Sequence, residues 1–212
     1  MIGEEEVNWT FEDLVDPQHS AVLVVDMQND FCSDKGVLEK RGLDCSMERE
    51  MAPRLGRFLT AARRAGVRII HIQNVQSDGT LSPVWRRKMK QVDTTILGTW
   101  GAQPYEGQPE LTPLKGEYVV QKHRYSGFVG TDLQLILKST GVRTLIMAGT
   151  HTNACVESTA RDGFMLEFHI VFLTDCTSAL SQKAHEASLH NIDRLFGDLA
   201  DADKVIKAWS GS

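Results

Sequence analysis

Apolar positions along this chain gather into short unbroken runs rather than into alternating stripes. Residues 21–26 read AVLVVD, a β-branched run closed by an acid; that is the pattern of a parallel strand buried on both faces. It returns at residues 67–73 (VRIIHIQ), 117–122 (EYVVQK), 142–149 (VRTLIMAG) and 168–175 (FHIVFLTD). Each run is long enough for a strand and too short for a helix, so five strands are predicted. Between them lie segments of helical period: 47–65 ending at Gly66, 131–140 ending at Gly141, and 153–165, 181–196 and 201–209. Strand and helix therefore alternate, which implies βαβ crossovers and an α/β fold with helices on both faces of a parallel sheet. The break in this rhythm is residues 74–115, rich in Gly, Pro and Trp, with a short helix expected at 84–92. A segment of that length is either a moving lid over a binding site or a static cover.

Composition narrows the picture. The 212 residues, 42% hydrophobic and 24% charged, fit one globular domain over 1–212, with 1–17 as an N-terminal extension. The apolar runs fall far short of the roughly 18–20 residues a membrane span needs, so no membrane association is expected. The acidic start MIGEEEVNWTFEDLVDPQH is the reverse of a secretory signal and points to the cytoplasm. A net charge of −5 without a basic stripe leaves no electrostatic footprint for nucleic acid, so a small molecule is the expected partner. Four cysteines (Cys32, Cys45, Cys155, Cys176) stand apart without CxxC pairs, in keeping with a reducing compartment. Cys32, Cys45 and Cys176 read as small buried hydrophobes.

Ligands of open α/β sheets bind beyond the carboxyl ends of the strands. Asp26 closes the first run, Lys122 the third, and Cys155 follows the fourth in what should be the first helical turn. Parallel strands bring those ends to one edge, so the three side chains can meet in one pocket. A thiol at a helix N-terminus beside a lysine is expected to be held as thiolate. Backbone N–H groups of the same turn could bind an oxyanion. Together these groups describe covalent catalysis on an acyl-type carbon.

The same residues carry a family resemblance. LVVDMQNDF (23–31), VVQKHRYSGFVGTDL (119–133) and GTHTNACVESTARDGF (149–164) resemble the three sequence blocks of the isochorismatase-like cysteine hydrolases, in their order and spacing. The resemblance covers about residues 18–200. It implies a three-layer αβα, Rossmann-like fold on a mostly parallel sheet of about six strands, and a catalytic triad of Asp26, Lys122 and Cys155. It also implies a cis peptide between Thr150 and His151, aiming the His151 and Cys155 N–H groups at one oxyanion. Within the family, IQN (72–74), KHRYSGF (122–128) and TNACVESTARDGFMLEF (152–168) most resemble the ureidoacrylate amidohydrolase-like members, which would give Asn74 and Tyr125 to the amide or ureido group. Members usually carry a small or apolar residue where this chain has His151, whose role the resemblance leaves open.

The expected activity is hydrolysis of a small amide, ureido or carbamoyl compound through a thioester, releasing ammonia or an amine. Neither metal nor cofactor is expected: the Asp-x-His-x-x-His pattern of the metal-binding nicotinamidases is missing from HIQNVQSDGTLS (71–82), and His71 reads as a satisfied core histidine. A papain-like pairing of Cys155 with His123 or His151 would leave Asp26 without a role. The alternatives are an isochorismatase-type vinyl-ether hydrolase, which needs no cysteine, and a non-catalytic binding member of the family. Relatives assemble as dimers or tetramers, so a homodimer or homotetramer is expected.

Overall fold

The computed structural model describes residues 9–89 and 95–211. Its centre is a six-stranded, all-parallel sheet in the order β3-β2-β1-β4-β5-β6. The strands are β1 (Ser20–Val25), β2 (Arg68–Asn74), β3 (Tyr118–Lys122), β4 (Thr144–Thr150), β5 (His169–Ser178) and β6 (Asp198–Ala200). Five are the predicted runs. The sixth is three residues, DLA, too short to register as a periodic run beside the helices that flank it.

β1 is buried at every position because both faces are covered. Val22 and Val24 point into a core with Leu55, Phe58 and Leu59 of α4 (Ser46–Ala65) and Val205 and Trp209 of α9 (Ala202–Ser210). Ala21, Leu23 and Val25 point the other way, toward α6 (Leu133–Ser139), α7 (Glu157–Met165) and α8 (Gln182–Leu195), meeting Leu133, Leu137, Val156, Ala160 and Ile192. The period-two alternation of a strand thus divides one apolar run between two cores and yields the three-layer αβα arrangement. α4 ends at Gly66 in the left-handed region, as its sequence anticipates.

The structure adds detail at two segments. Residues 9–17 are integrated into the domain: α1 (Phe11–Leu14) packs on the α4 and α9 side, Val15 is fully buried, and the Trp209 indole donates to Val15 O at 2.8 Å. Residues 1–8 lie outside the described part. The long segment after β2, expected as either a lid or a cover, is hydrogen-bonded in its described part to the residues that follow β1. It carries α5 (Pro83–Met89), where the sequence predicted a helix over 84–92, the end of which falls among the residues not described. Gln28 rivets it: Nε2 donates to Asn74 O (3.0 Å) and Ala102 O (2.9 Å), while Oε1 accepts from Asn74 N (2.8 Å). Next to it, in the short helix α2 (Asn29–Cys32), which is followed by α3 (Val37–Lys40), Asn29 Nδ2 donates to Trp100 O at 3.0 Å.

Strand register brings the ends together: Val25 pairs with Ile72 on one side and Gly149 on the other, and Asn74 with Lys122. At that level the backbone leaves regular geometry. Asp26 sits at φ 51°, a region costly for any side chain except at a site that enforces it. Gly149 has φ 108°, and a Cβ there would lie 2.1 Å from Val25 O. Gly149→Ala should therefore cost at least about 3 kcal/mol, since left-handed strain and a backbone clash add. Gly141→Ala, also at positive φ but in open space, should cost about 1–2 kcal/mol. Urea denaturation of the two variants measures the gap; equal losses would contradict the strand-end packing.

Candidate active site

Lys122 is the hub. Its side chain is fully buried, and Nζ donates to Asp26 Oδ2 at 2.7 Å, Cys155 Sγ at 3.2 Å and Arg124 O at 3.1 Å. An ammonium has three N–H donors, and each has an acceptor. The strand order explains the reach: Lys122 ends β3, Asp26 follows β1 and Cys155 follows β4, so the long side chain crosses the end of β2 to join them. The three predicted triad residues meet, across 96 and 33 positions of sequence.

Their electrostatics correct one expectation. Burial pushes the Cys155 thiol up, the Asp26 charge pushes further, and Lys122 only partly opposes them; the thiol stands at about 12. The sulfur at rest is thus a protonated thiol, not the thiolate anticipated from its place at a helix start. The helix-end argument failed because Cys155 is only 6% exposed, and desolvation of the anion outweighs the favourable field. Burial also raises Asp26, against the pull of Lys122, while Lys122, despite burial, is held above its ordinary value by Asp26 and Cys155. Asp26 keeps Oδ1 buried without a hydrogen-bond partner, an acceptor position beside the thiol.

The nucleophile's turn is also more particular than a plain helix start. Thr152–Val156 forms a π-helical turn that runs into α7, with His151 preceding it. The His151 carbonyl accepts from Ala154 N (3.0 Å) and Val156 N (3.2 Å), closing the backbone around Cys155. Cys155 O accepts from Thr159 Oγ1 at 2.7 Å, and that hydroxyl accepts from Gly127 N at 2.9 Å, fixing the turn to the loop after β3. The Thr150–His151 peptide is cis.

Asn74 and Tyr125 flank the hub differently. Asn74 ends β2 in register with Lys122 and is buried; its Oδ1 accepts from Gln76 Nε2 at 3.0 Å and its main chain is clamped by Gln28. Tyr125 is 37% exposed, and its phenol is raised by burial, then by Cys155, with Lys122 opposing, so it lies within electrostatic reach of the hub. Its ring meets Trp85 of α5 at 5.0 Å, and the Arg124 guanidinium lies 5.3 Å above the same indole. The Trp85–Tyr125 contact is one that the sequence did not single out, because the segment carrying Trp85 shows no periodicity connecting it to the strand ends. Gln28 was missed as well; as a fully buried amide it is recognisable only from its three hydrogen bonds to Asn74 and Ala102. His71 is the satisfied core histidine expected, buried with Nε2 2.9 Å from Glu117 Oε2. Cys155 takes its hydrogen bond from Lys122, and His123 Nδ1 is engaged by Val75 O at 2.6 Å, so the papain-like pairing with His123 is not the arrangement found.

Comparison with known proteins agrees with this architecture. The isochorismatase domain family matches residues 20–204. An isochorismatase-like hydrolase from Alkaliphilus metalliredigens is 33% identical with a TM-score of 0.76, the match covering 90% of this chain and 99% of that one. A cysteine hydrolase from Pseudomonas syringae pv. phaseolicola is 29% identical with a TM-score of 0.86, over 93% and 95%. The N-carbamoylsarcosine amidase of Thermoplasma acidophilum shares the fold at 24% identity and TM-score 0.72, over 87% and 97%. The chain belongs to the isochorismatase-like hydrolase family.

A thiol near 12 has a measurable signature. Alkylation of Cys155 by iodoacetamide, followed by peptide mass mapping, should be slow at pH 7 and rise about tenfold per pH unit without a plateau below pH 10. Asp26→Asn removes a charge that raises the thiol, so it should speed alkylation at fixed pH. A plateau below pH 8, or slower reaction in Asp26→Asn, would contradict this assignment.

Proposed function

We propose that this protein is a cysteine amidohydrolase that cleaves a C–N bond of a small amide, ureido or carbamoyl compound and releases ammonia or an amine. The observation that carries the reading is the single ammonium at 2.7 Å from a carboxylate and 3.2 Å from a thiol. That arrangement lets a proton leave sulfur for oxygen while the cation offsets both negative charges.

The reaction follows from the resting state. Asp26 takes the Cys155 proton as the sulfur attacks the carbonyl carbon, so the anion exists only as the C–S bond forms. The backbone N–H groups of His151 and Cys155 receive the developing oxyanion. The C–N bond breaks as Asp26 returns the proton to nitrogen. Water, deprotonated by the same carboxylate, then opens the thioester and restores the thiol. Asn74 and Tyr125 hold the amide or ureido group, and Trp85, packed on Tyr125, completes the wall.

Support from relatives is of the same kind: the Thermoplasma acidophilum neighbour is named for an N-carbamoyl substrate. A vinyl-ether reaction needs no nucleophile and leaves the Cys155–Lys122 contact without purpose; a binding-only role leaves the buried ion pair without one. Ureidoacrylate, biuret, triuret, carbamoyl amines and simple aliphatic amides are the substrate panel.

Ammonia release should occur with at least one member of that panel. Cys155→Ser should still bind that compound but release nothing, and Asp26→Asn should lower kcat by roughly 10²–10⁴, the usual worth of a general base. Full turnover by Cys155→Ala, or cleavage of isochorismate with no amide turned over, would overturn the proposal.

A further inference from the structure

Gln76, two residues beyond β2, is a buried amide that the triad does not use. It is 1% exposed, and its main chain is held on both sides: its N–H donates to Thr95 O at 2.8 Å and its carbonyl accepts from Leu97 N at 3.0 Å. Gln76 Nε2 donates to Asn74 Oδ1 (3.0 Å) and to His123 O (3.1 Å), while Oε1 accepts from Thr80 Oγ1 (3.2 Å). Chemistry fixes which way round these amides lie. A backbone carbonyl can only accept, so the Gln76 atom that faces His123 O must be the nitrogen, and that nitrogen in turn requires the oxygen of Asn74. The Asn74 oxygen is thus engaged inside the protein, and the other edge of its amide offers a ligand two N–H donors on Nδ2.

Asn74 is placed to use them at the triad. Alternation along β2 puts it on the side of Ile70 and Ile72, which share a core with Cys155, and its partner across the strands is Lys122. Among the described residues Nδ2 makes no hydrogen bond, yet it is not one of the enclosed atoms left without a partner, so it is open to a bound molecule. β1 lies between β2 and β4, so two strand spacings, about 10 Å, separate the Asn74 backbone from the end of β4 that leads to the His151 and Cys155 N–H groups. The two sets of donors therefore address different parts of a substrate.

We infer that Gln76 is a positioning residue: by holding the Asn74 oxygen it presents Asn74 to the substrate as a donor, which selects compounds with a second oxygen beyond the scissile carbonyl, such as an acylurea, a biuret-like compound or a ureido acid. The inference rests on the amidohydrolase reading and narrows its substrate class. A simple aliphatic amide or an alkylurea has one oxygen, which the His151 and Cys155 N–H groups take. Its nitrogen presents N–H groups of its own, which a donor cannot meet, so the Asn74 N–H groups would be left unpaired on binding.

The test uses acetylurea and ethylurea, which differ by a carbonyl in place of a methylene. Because the acyl group also activates the urea chemically, binding and KM are the quantities compared. By calorimetry, Cys155→Ser protein should bind acetylurea roughly 10- to 100-fold more tightly than ethylurea, the cost of leaving a buried donor without its acceptor. Adding Gln76→Met, which keeps the side chain's length and removes its N–H donors, should bring that preference close to unity. In protein that retains Cys155, Gln76→Met should raise KM for acetylurea about tenfold with a smaller change in kcat, whereas a merely structural role would lower kcat on both ureas alike. Thr80→Val removes only the hydroxyl that holds the far side of the Gln76 amide; it should shift the preference in the same direction by less, and it carries the comparison if Gln76→Met does not fold. A binding preference without ammonia release would count against the proposed chemistry and not against Gln76. Equal binding of the two ureas by Cys155→Ser protein overturns the inference, as does a preference that the substitutions at Gln76 and Thr80 leave unchanged.

Discussion

A fully buried ammonium held between a carboxylate and a thiol is the constraint around which this molecule is arranged. Removing one partner of such a pair leaves an uncompensated charge, a loss of about 3–5 kcal/mol in proteins generally, whereas replacing both with apolar groups is often neutral. A chain that needed only stability would gain little from Lys122 and Asp26 in this place. Their place in the interior, with all three N–H donors matched, accords with the proposed chemistry. The surrounding fold serves it: three strands end at one level, Gly149 lets β1 and β4 approach, and Gln28 locks the cover to the ends of β1 and β2.

The same burial decides where the proton rests. A thiol near 12 would be inert on its own, yet a carboxylate raised by burial is a better base than one in water. Desolvation thus makes sulfur harder to ionise and the carboxylate more willing to accept its proton. A buried thiol of this kind is also shielded from oxidation and stray alkylation.

The layout of the fold was readable because burial on both faces leaves a plain mark: AVLVV and its four counterparts are what central parallel strands look like. β6 was hidden by its length. The triad was readable from position, since Asp26 and Lys122 each end an apolar run and Cys155 opens a helix, and the three sequence blocks strengthened that reading. What could not be read was state. Propensity and helix-end arguments describe an exposed terminus, while the degree to which Cys155 is desolvated depends on packing between elements far apart in the sequence. Trp85 and Gln28 were invisible for a related reason: each acts through partners about 40 to 75 residues away, and no local pattern announces them.

The central claim, that Cys155 becomes covalently bonded to the acyl group while Asp26 carries its proton, is tested most directly by rapid acid quench and intact-mass measurement in the first turnover. The account predicts a species heavier by the acyl or carbamoyl fragment, located at Cys155, formed together with one equivalent of released nitrogen and strongly delayed in Asp26→Asn. Turnover that proceeds with no such species, or with the added mass on another residue, would contradict it.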